Sequence, residues 1–232
     1  MPVAIVTGAS RGLGLALAHG LAERGWSLVV DARNAGPLTD AARELKGCTN
    51  VIPLTGSVAD PQHRADLLEA ARSLGGLDLL VNNAGTLGPS PLPALGALNV
   101  SAYRDILEVG TVAPLALTQQ ALPILRENGG AVLNITSDAA VEAYEGWGGY
   151  GSAKAALEQW SHVLAEEEKA VRVWWVDPGD LRTQMHQDAF PGEDISDRPL
   201  PDTVVPAFVS LVETRPPSGR YKAAELPTGA VA

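Results

Sequence analysis

The chain has 232 residues, 46% apolar and 19% charged, which is an ordinary globular composition long enough to bury a substantial core. Its formal net charge of −10 argues against a nucleic-acid partner, because phosphate backbones are met by basic stripes and the sequence has none. Cys48 stands alone, and His19, His63, His162 and His186 lack metal-ligand spacing, so neither a disulfide framework nor a metal site is expected.

No signal peptide precedes the first apolar run, and no run has bilayer length. A soluble, cytoplasmic protein with no membrane partner is therefore expected. From the N-terminus onward, short β-rich apolar runs alternate with longer helix-patterned segments. The runs are VAIV (3–6), SLVVD (27–31), NVIPL (50–54), LDLLV (77–81), AVLNI (131–135) and VRVWWV (171–176). Strands that are apolar almost throughout are buried on both faces, which is what a parallel sheet covered by helices requires. The pattern predicts one α/β domain over 1–232, a doubly wound Rossmann-type sheet of about seven strands with helices on both faces. Trp174 and Trp175 lie in an apolar strand and are expected in the core.

Helix starts are also legible. Asp60 before Pro61 reads as an N-cap with proline at the first helical position. Ser101 is expected to cap the next helix and Asp202 a late one. Pro114 and Pro123 predict a bend or break in the segment after Ser101. Residues 184–201, rich in Pro, Asp and Gly, read as a substrate lid without regular structure, and 225–232 as a loose tail.

The first strand runs into TGASRGLGLA (7–16), a strand, a glycine turn and the start of a helix. A helix N-terminus offers unpaired N–H groups and partial positive charge to a phosphate, and Gly8, Gly12 and Gly14 let backbone approach it. The alternative is a turn glycine-rich for packing alone. Arg11, in the middle of the turn, suits an additional phosphate by its planar fork of donors.

Further motifs follow in order: NNAG (82–85), Ser137, YGSAK (150–154) and PGDLRT (178–183). Together with TGASRGLG they resemble the short-chain dehydrogenase/reductase family, classical type, over nearly the whole chain. The resemblance implies that Gly8, Ser10, Arg11, Gly12, Leu13 and Gly14 form the coenzyme loop. Asn83, Ala84 and Gly85 form the wall beside it, and Pro178, Gly179, Leu181 and Thr183 hold the carboxamide end. Ser57 and Val58 fall where relatives often carry Asp-Val against the adenine, so that contact departs from the pattern. In VVDARN, an acid would select NAD and an arginine NADP. Arg33 falls where NADP-using relatives carry a basic residue, which with Arg11 favours NADP(H) over NAD(H). The alternative is that Asp31 and Arg33, two apart on one strand face, pair with each other.

Tyr150 and Lys154, four apart, share one face of a helix. A phenol is a poor base at neutral pH, and a nearby ammonium lowers its pKa into a useful range. The resemblance makes Tyr150 the proton-exchanging group, Lys154 the residue that binds the nicotinamide ribose and tunes it, and Ser137 a hydrogen-bond partner of the substrate oxygen. One residue departs: the family's asparagine in the helix after the fourth strand, which helps hold a water beside the lysine, is Gly110 here. A water fills the gap, or proton supply slows, or catalysis has been lost. Two functions therefore stay open: an NADP(H)-dependent carbonyl reductase or alcohol dehydrogenase of small or medium organic substrates, and a coenzyme-binding sensor or scaffold. Glu142, Tyr144 and Trp147, between serine and tyrosine, and Met185 and His186 in the lid are candidate substrate-lining residues. The aromatics are equally readable as packing, and His186 as simply exposed. By resemblance, a homodimer or homotetramer is expected.

Overall fold

The structure, a computed structural model, describes residues 1–228. Its elements are β1 (Val3–Val6), α1 (Gly12–Glu23), β2 (Ser27–Ala32), α2 (Ala35–Leu45), β3 (Val51–Thr55), α3 (Pro61–Ser73), β4 (Leu79–Asn82), α4 (Val100–Leu107), α5 (Ala113–Asn128), β5 (Ala131–Ile135), α6 (Gly148–Glu167), β6 (Arg172–Asp177), α7 (Gln184–Ala189), α8 (Val205–Thr214) and β7 (Gly219–Lys222). The strands make one seven-stranded sheet in the order β3-β2-β1-β4-β5-β6-β7, every pair parallel. The expected doubly wound α/β fold is present. Strand order reverses between β1 and β4, and in such sheets that switch point opens a crevice at the carboxyl ends of the strands.

Side-chain alternation along each strand divides the core in two. Ala4 and Val6, Leu28 and Val30, Leu79 and Val81, Trp174 and Val176 face one way, against α1, α2 and α8. Val3 and Ile5, Val29, Leu80, Val132, Val173 and Trp175 face the other, against α3, α5 and α6. The two tryptophans thus enter the core on opposite faces, 0% and 7% exposed. Trp174 also satisfies its indole N–H on the Pro216 carbonyl at 3.1 Å, which a buried indole requires.

Several local expectations need correcting. Asp60 does cap α3, accepting from the Gln62 N–H at 2.9 Å. Ser101 does not cap α4: Asn99, two residues earlier, does so by accepting the Ser101 N–H at 2.8 Å. Asp202 caps nothing, because it lies inside a 3₁₀ turn, Pro201–Val204, that leads straight into α8. The break near Pro114 is a π-turn, Glu108–Val112, just ahead of α5. Pro114 has no N–H to offer the Gly110 carbonyl four residues back, so the helix widens there. Pro123 stays inside α5 without ending it.

The lid segment is not wholly irregular: Gln184–Ala189 is a helix, capped by Thr183, whose hydroxyl accepts the His186 N–H at 3.2 Å. The tail expectation fails at its start, where Ala223–Glu225 forms a 3₁₀ turn and Leu226 packs on the core. Residues 229–232 lie outside the described residues. Among the described residues no helix is long and apolar enough to cross a membrane.

Trp174→Ala removes the largest fully buried side chain and strands a carbonyl; the expected loss is about 3–5 kcal/mol of stability. A urea melt that moves by less than about 1 kcal/mol would contradict this placement.

Candidate active site

The turn between β1 and α1 is gripped from two sides. From β2, Asp31 accepts the Gly8 N–H on Oδ1 at 2.7 Å and the Ala9 N–H on its carbonyl at 2.9 Å. After β4, the Asn83 amide donates to the Thr7 carbonyl at 2.8 Å and to the Gly8 carbonyl at 3.2 Å. Gly8 has φ +67° and Gly12 φ +58°, where a side chain is strained. A Cβ on Gly14 would collide with the Asn83 amide and the Gly8 carbonyl oxygen. Packing accounts for Gly8 and Gly14. It does not account for Arg11, which is exposed at the N-cap of α1 with no side-chain capping bond.

A single cavity runs from this turn across the carboxyl ends of the strands. All the residues predicted to contact the coenzyme line it: Gly8, Ser10, Arg11, Gly12, Leu13 and Gly14 from the turn, Arg33 after β2, Ser57 and Val58 after β3, Asn83, Ala84 and Gly85 after β4, and Pro178, Gly179, Leu181 and Thr183 after β6. Arg33 is exposed, and neither it nor Arg11 has an ion-pair partner among the described residues. The Asp31–Arg33 pairing is absent, because Asp31 is 1% exposed and bonded to Gly8 and to His63 instead.

At the other end of the cavity stand Ser137, Tyr150 and Lys154. Ser137 follows β5, where its hydroxyl accepts the Ala139 N–H at 3.2 Å and donates to Asp138 Oδ1 at 2.9 Å. Tyr150 and Lys154 are one turn apart on α6, the ammonium 5.5 Å from the ring centroid. Lys154 is 4% exposed and donates to the Ile135 carbonyl at 2.7 Å. Burial pulls its pKa down to about 8, with Glu158 opposing the shift.

The expectation that Lys154 lowers the tyrosine pKa is not met in the protein alone. Burial, then the carboxylates of Asp177 and Asp138, push the Tyr150 hydroxyl well above its ordinary value. The lysine is committed to a backbone carbonyl and sits over the ring, while two carboxylates face the phenol.

Of the substrate-side candidates, Trp147, Met185 and His186 line the cavity, and Glu142 and Tyr144 do not. Tyr144 is at the surface, its hydroxyl between Asp138 Oδ2 at 3.0 Å and Glu142 Oε2 at 2.9 Å. Trp147 meets Tyr150 edge-on with centroids 5.6 Å apart. His186 is buried, not exposed, its ring tilted 42° against that of Phe190 with centroids 4.9 Å apart.

Gly110 has a packing reason: a Cβ there would sit 3.1 Å from that of Ala153, the neighbour of Lys154. The buried Thr111 is no substitute for the family's asparagine, since its hydroxyl accepts the Trp160 indole N–H at 3.1 Å. The structure adds residues the sequence did not disclose. Arg220 of β7 donates to Glu158 at 2.9 Å and to the Ser137 carbonyl at 3.3 Å, and lies 3.7 Å from Asp177. No sequence signal marked it, because its strand was not recognised. Asp177 directly precedes the PG pair and could have been flagged by that position.

Lys154 titrates near 8 in the fold against 10.5 for an ordinary lysine. Between those values the unfolded chain holds more protons, so raising the pH stabilises the fold. From pH 8 to 10.5 the wild type should gain up to about 3 kcal/mol relative to Lys154→Met, read from urea midpoints. Parallel pH dependences for the two proteins would contradict the burial of a charged amine.

Comparison with known proteins agrees with this geometry. Residues 2–194 match the family described as short chain dehydrogenase. The chain is 36% identical over 197 residues to the rhamnolipids biosynthesis 3-oxoacyl-(acyl-carrier-protein) reductase of Pseudomonas aeruginosa, covering 79% of this chain and 74% of that one. It is 35% identical over 199 residues to sepiapterin reductase of Mus musculus, covering 80% and 76%. Among solved structures, an alcohol dehydrogenase from the archaeon Thermococcus sibiricus complexed with 5-hydroxy-NADP superposes with a TM-score of 0.86 at 27% identity, covering 96% of this chain and 95% of that one. Sequence match, strand order and cavity agree: the chain belongs to the short-chain dehydrogenase/reductase family and is an oxidoreductase of that type.

Proposed function

We propose that this protein interconverts a carbonyl and an alcohol on a small or medium organic substrate with NADP(H) as hydride carrier, the whole chain acting as one catalytic domain. The carrying observation is one cavity with two guanidiniums, Arg11 and Arg33, unpaired among the described residues, at one end and Ser137, Tyr150 and Lys154 at the other. A dinucleotide with a 2′-phosphate fits that polarity. Each guanidinium at about 4–5 Å from the phosphate contributes roughly 3–4 kcal/mol of Coulomb attraction at an effective dielectric near 20, before desolvation and screening. The glycine turn fits the pyrophosphate, since its residues line the cavity where α1 begins and a helix N-terminus offers unpaired N–H groups there. That the Thermococcus sibiricus relative was solved with an NADP derivative supports the same choice.

When bound, the nicotinamide supplies the hydride. The chain supplies position and the proton. With its pKa raised, Tyr150 is protonated at neutral pH, so its hydroxyl is ready to give a proton to the oxygen of a carbonyl being reduced. In this reading Ser137, on the same cavity, hydrogen-bonds the same oxygen once its hydroxyl exchanges its bond to Asp138 for one to substrate. Lys154 holds the nicotinamide ribose and offers positive charge to a developing phenolate. Gly110 allows close helix packing, a Cβ there standing 3.1 Å from that of Ala153, and Ser137, Tyr150 and Lys154 are all retained in the cavity. The substrate side is bounded by Trp147, Met185 and His186. A homo-oligomer through the faces of α4, α5 and α6, where Val100 on α4, Val112 in the turn before α5 and Val163 on α6 are exposed, is part of the same reading.

Oxidation of NADPH against a panel of ketones, with Tyr150→Phe alongside, tests the proposal. The substitution should lower turnover by about 10²–10⁴-fold and leave the NADPH dissociation constant nearly unchanged. A wild type that binds NADPH yet matches Tyr150→Phe on every carbonyl would favour the sensor or scaffold instead.

A further inference from the structure

A buried acid–base pair next to the coenzyme turn plays no part in the hydride chemistry. Asp31, at the end of β2, has both carboxylate oxygens engaged: Oδ1 accepts the Gly8 N–H at 2.7 Å and Oδ2 accepts from His63 Nε2 at 2.9 Å. Both side chains are shut off from water, at 2% and 6% exposure. His63 reaches across from the first turn of α3, and a Cβ at Gly56 would collide with its ring. The glycine that follows β3 therefore makes room for this imidazole. Asp31 and Gly56 line the cavity at the end where Arg11 and Arg33 stand.

A carboxylate at the end of β2 acts on coenzyme choice in two ways: it accepts from the ribose hydroxyls, and it repels a 2′-phosphate. Asp31 is two residues before Arg33, so both effects are within reach of the same ribose. What removes them is the direction in which the carboxylate is held. We propose that His63 is a specificity-determining residue that acts through Asp31, keeping its carboxylate turned into the glycine turn and away from the adenosine ribose, so that the 2′-phosphate meets only Arg11 and Arg33. This rests on the NADP(H) reading above. Without His63, one backbone donor is left to satisfy a buried charge, and such a charge is strongly unfavourable. Rotation toward the cavity relieves it and delivers the carboxylate to the ribose. Arg64, the next residue on α3, makes no bond to Asp31; its guanidinium donates to the Val58 carbonyl at 2.6 Å.

The test is calorimetric binding of NADPH and of NADH to the intact protein, with no turnover required. Wild type is expected to bind NADPH more tightly. His63→Leu should lower the NADPH-over-NADH affinity ratio by about tenfold or more, the effect of an exposed carboxylate beside the phosphate. His63→Gln, which keeps an N–H donor, should hold the ratio, and adding Asp31→Asn to His63→Leu should restore it by removing the charge. If His63→Leu does not fold, His63→Asn, too short to reach Oδ2, replaces it with the same expected loss. A ratio that falls by less than tenfold in the donor-less variant, or equally in His63→Gln, overturns the role of His63 and leaves the NADP(H) reading standing. A wild type that prefers NADH overturns that reading itself.

Discussion

The constraint that the site depends on lies where β1 turns into α1 against the end of β4, with Gly8 backed onto the Ala84 backbone and Gly14 onto the Asn83 side-chain amide. Gly14 has no room for a side chain between the Asn83 amide and the Gly8 carbonyl, and Gly8 turns with positive φ. That absence of atoms lets Asn83 donate to the Thr7 and Gly8 carbonyls and ties the two middle strands together at their carboxyl ends. The sheet's strand order reverses at this point, so the same contact forms the wall of the crevice. A turn so constrained presents backbone to the cavity, and everything placed along the cavity takes its register from it.

The cavity is electrically polarised along its length. Arg11 and Arg33 provide positive charge at one end without carboxylate partners among the described residues. At the other end, burial first, and then the charges of Asp177 and Asp138, keep the proton on Tyr150. Lys154, at the same end, is buried and bonded to the Ile135 carbonyl. Arg220 reaches in from the edge strand to steady Glu158 and the Ser137 carbonyl, with Asp177 just beyond hydrogen-bond range. A phenol that is protonated at rest is suited to giving a proton to a substrate oxygen. Its return to the protonated state depends on groups around it, not on its own ordinary acidity.

Much of this was legible in the chain before any coordinates. Buried parallel strands carry unbroken apolar runs, so six of the seven could be located, and the glycine turn and the Tyr-Lys spacing mark their own chemistry. The seventh strand, GRYK, is a short edge element with a single aromatic and two cations, and no apolar pattern announces it. With it went Arg220. Cap choice failed at α4 because Asn99 and Ser101 are both good caps, and only the backbone entry angle decides between them. The direction of the Tyr150 shift was misjudged because spacing along a helix shows that Lys154 is near, and says nothing of what holds its ammonium or which carboxylates arrive from other strands. The fate of Asp31 was hidden for a similar reason: its partner His63 is 32 residues away and reaches it only through the packing of α3 on the sheet.

The account stands or falls on whether hydrogen crosses from the coenzyme end of this cavity to a carbonyl carbon. Reduced NADP carrying deuterium at both positions of the transferring carbon of its nicotinamide ring, incubated with the protein and a ketone it reduces, answers that directly by mass spectrometry and NMR of the product. The account predicts deuterium on the carbinol carbon and a hydroxyl proton drawn from solvent. An alcohol free of deuterium, or no alcohol from any ketone although the coenzyme binds, would contradict it.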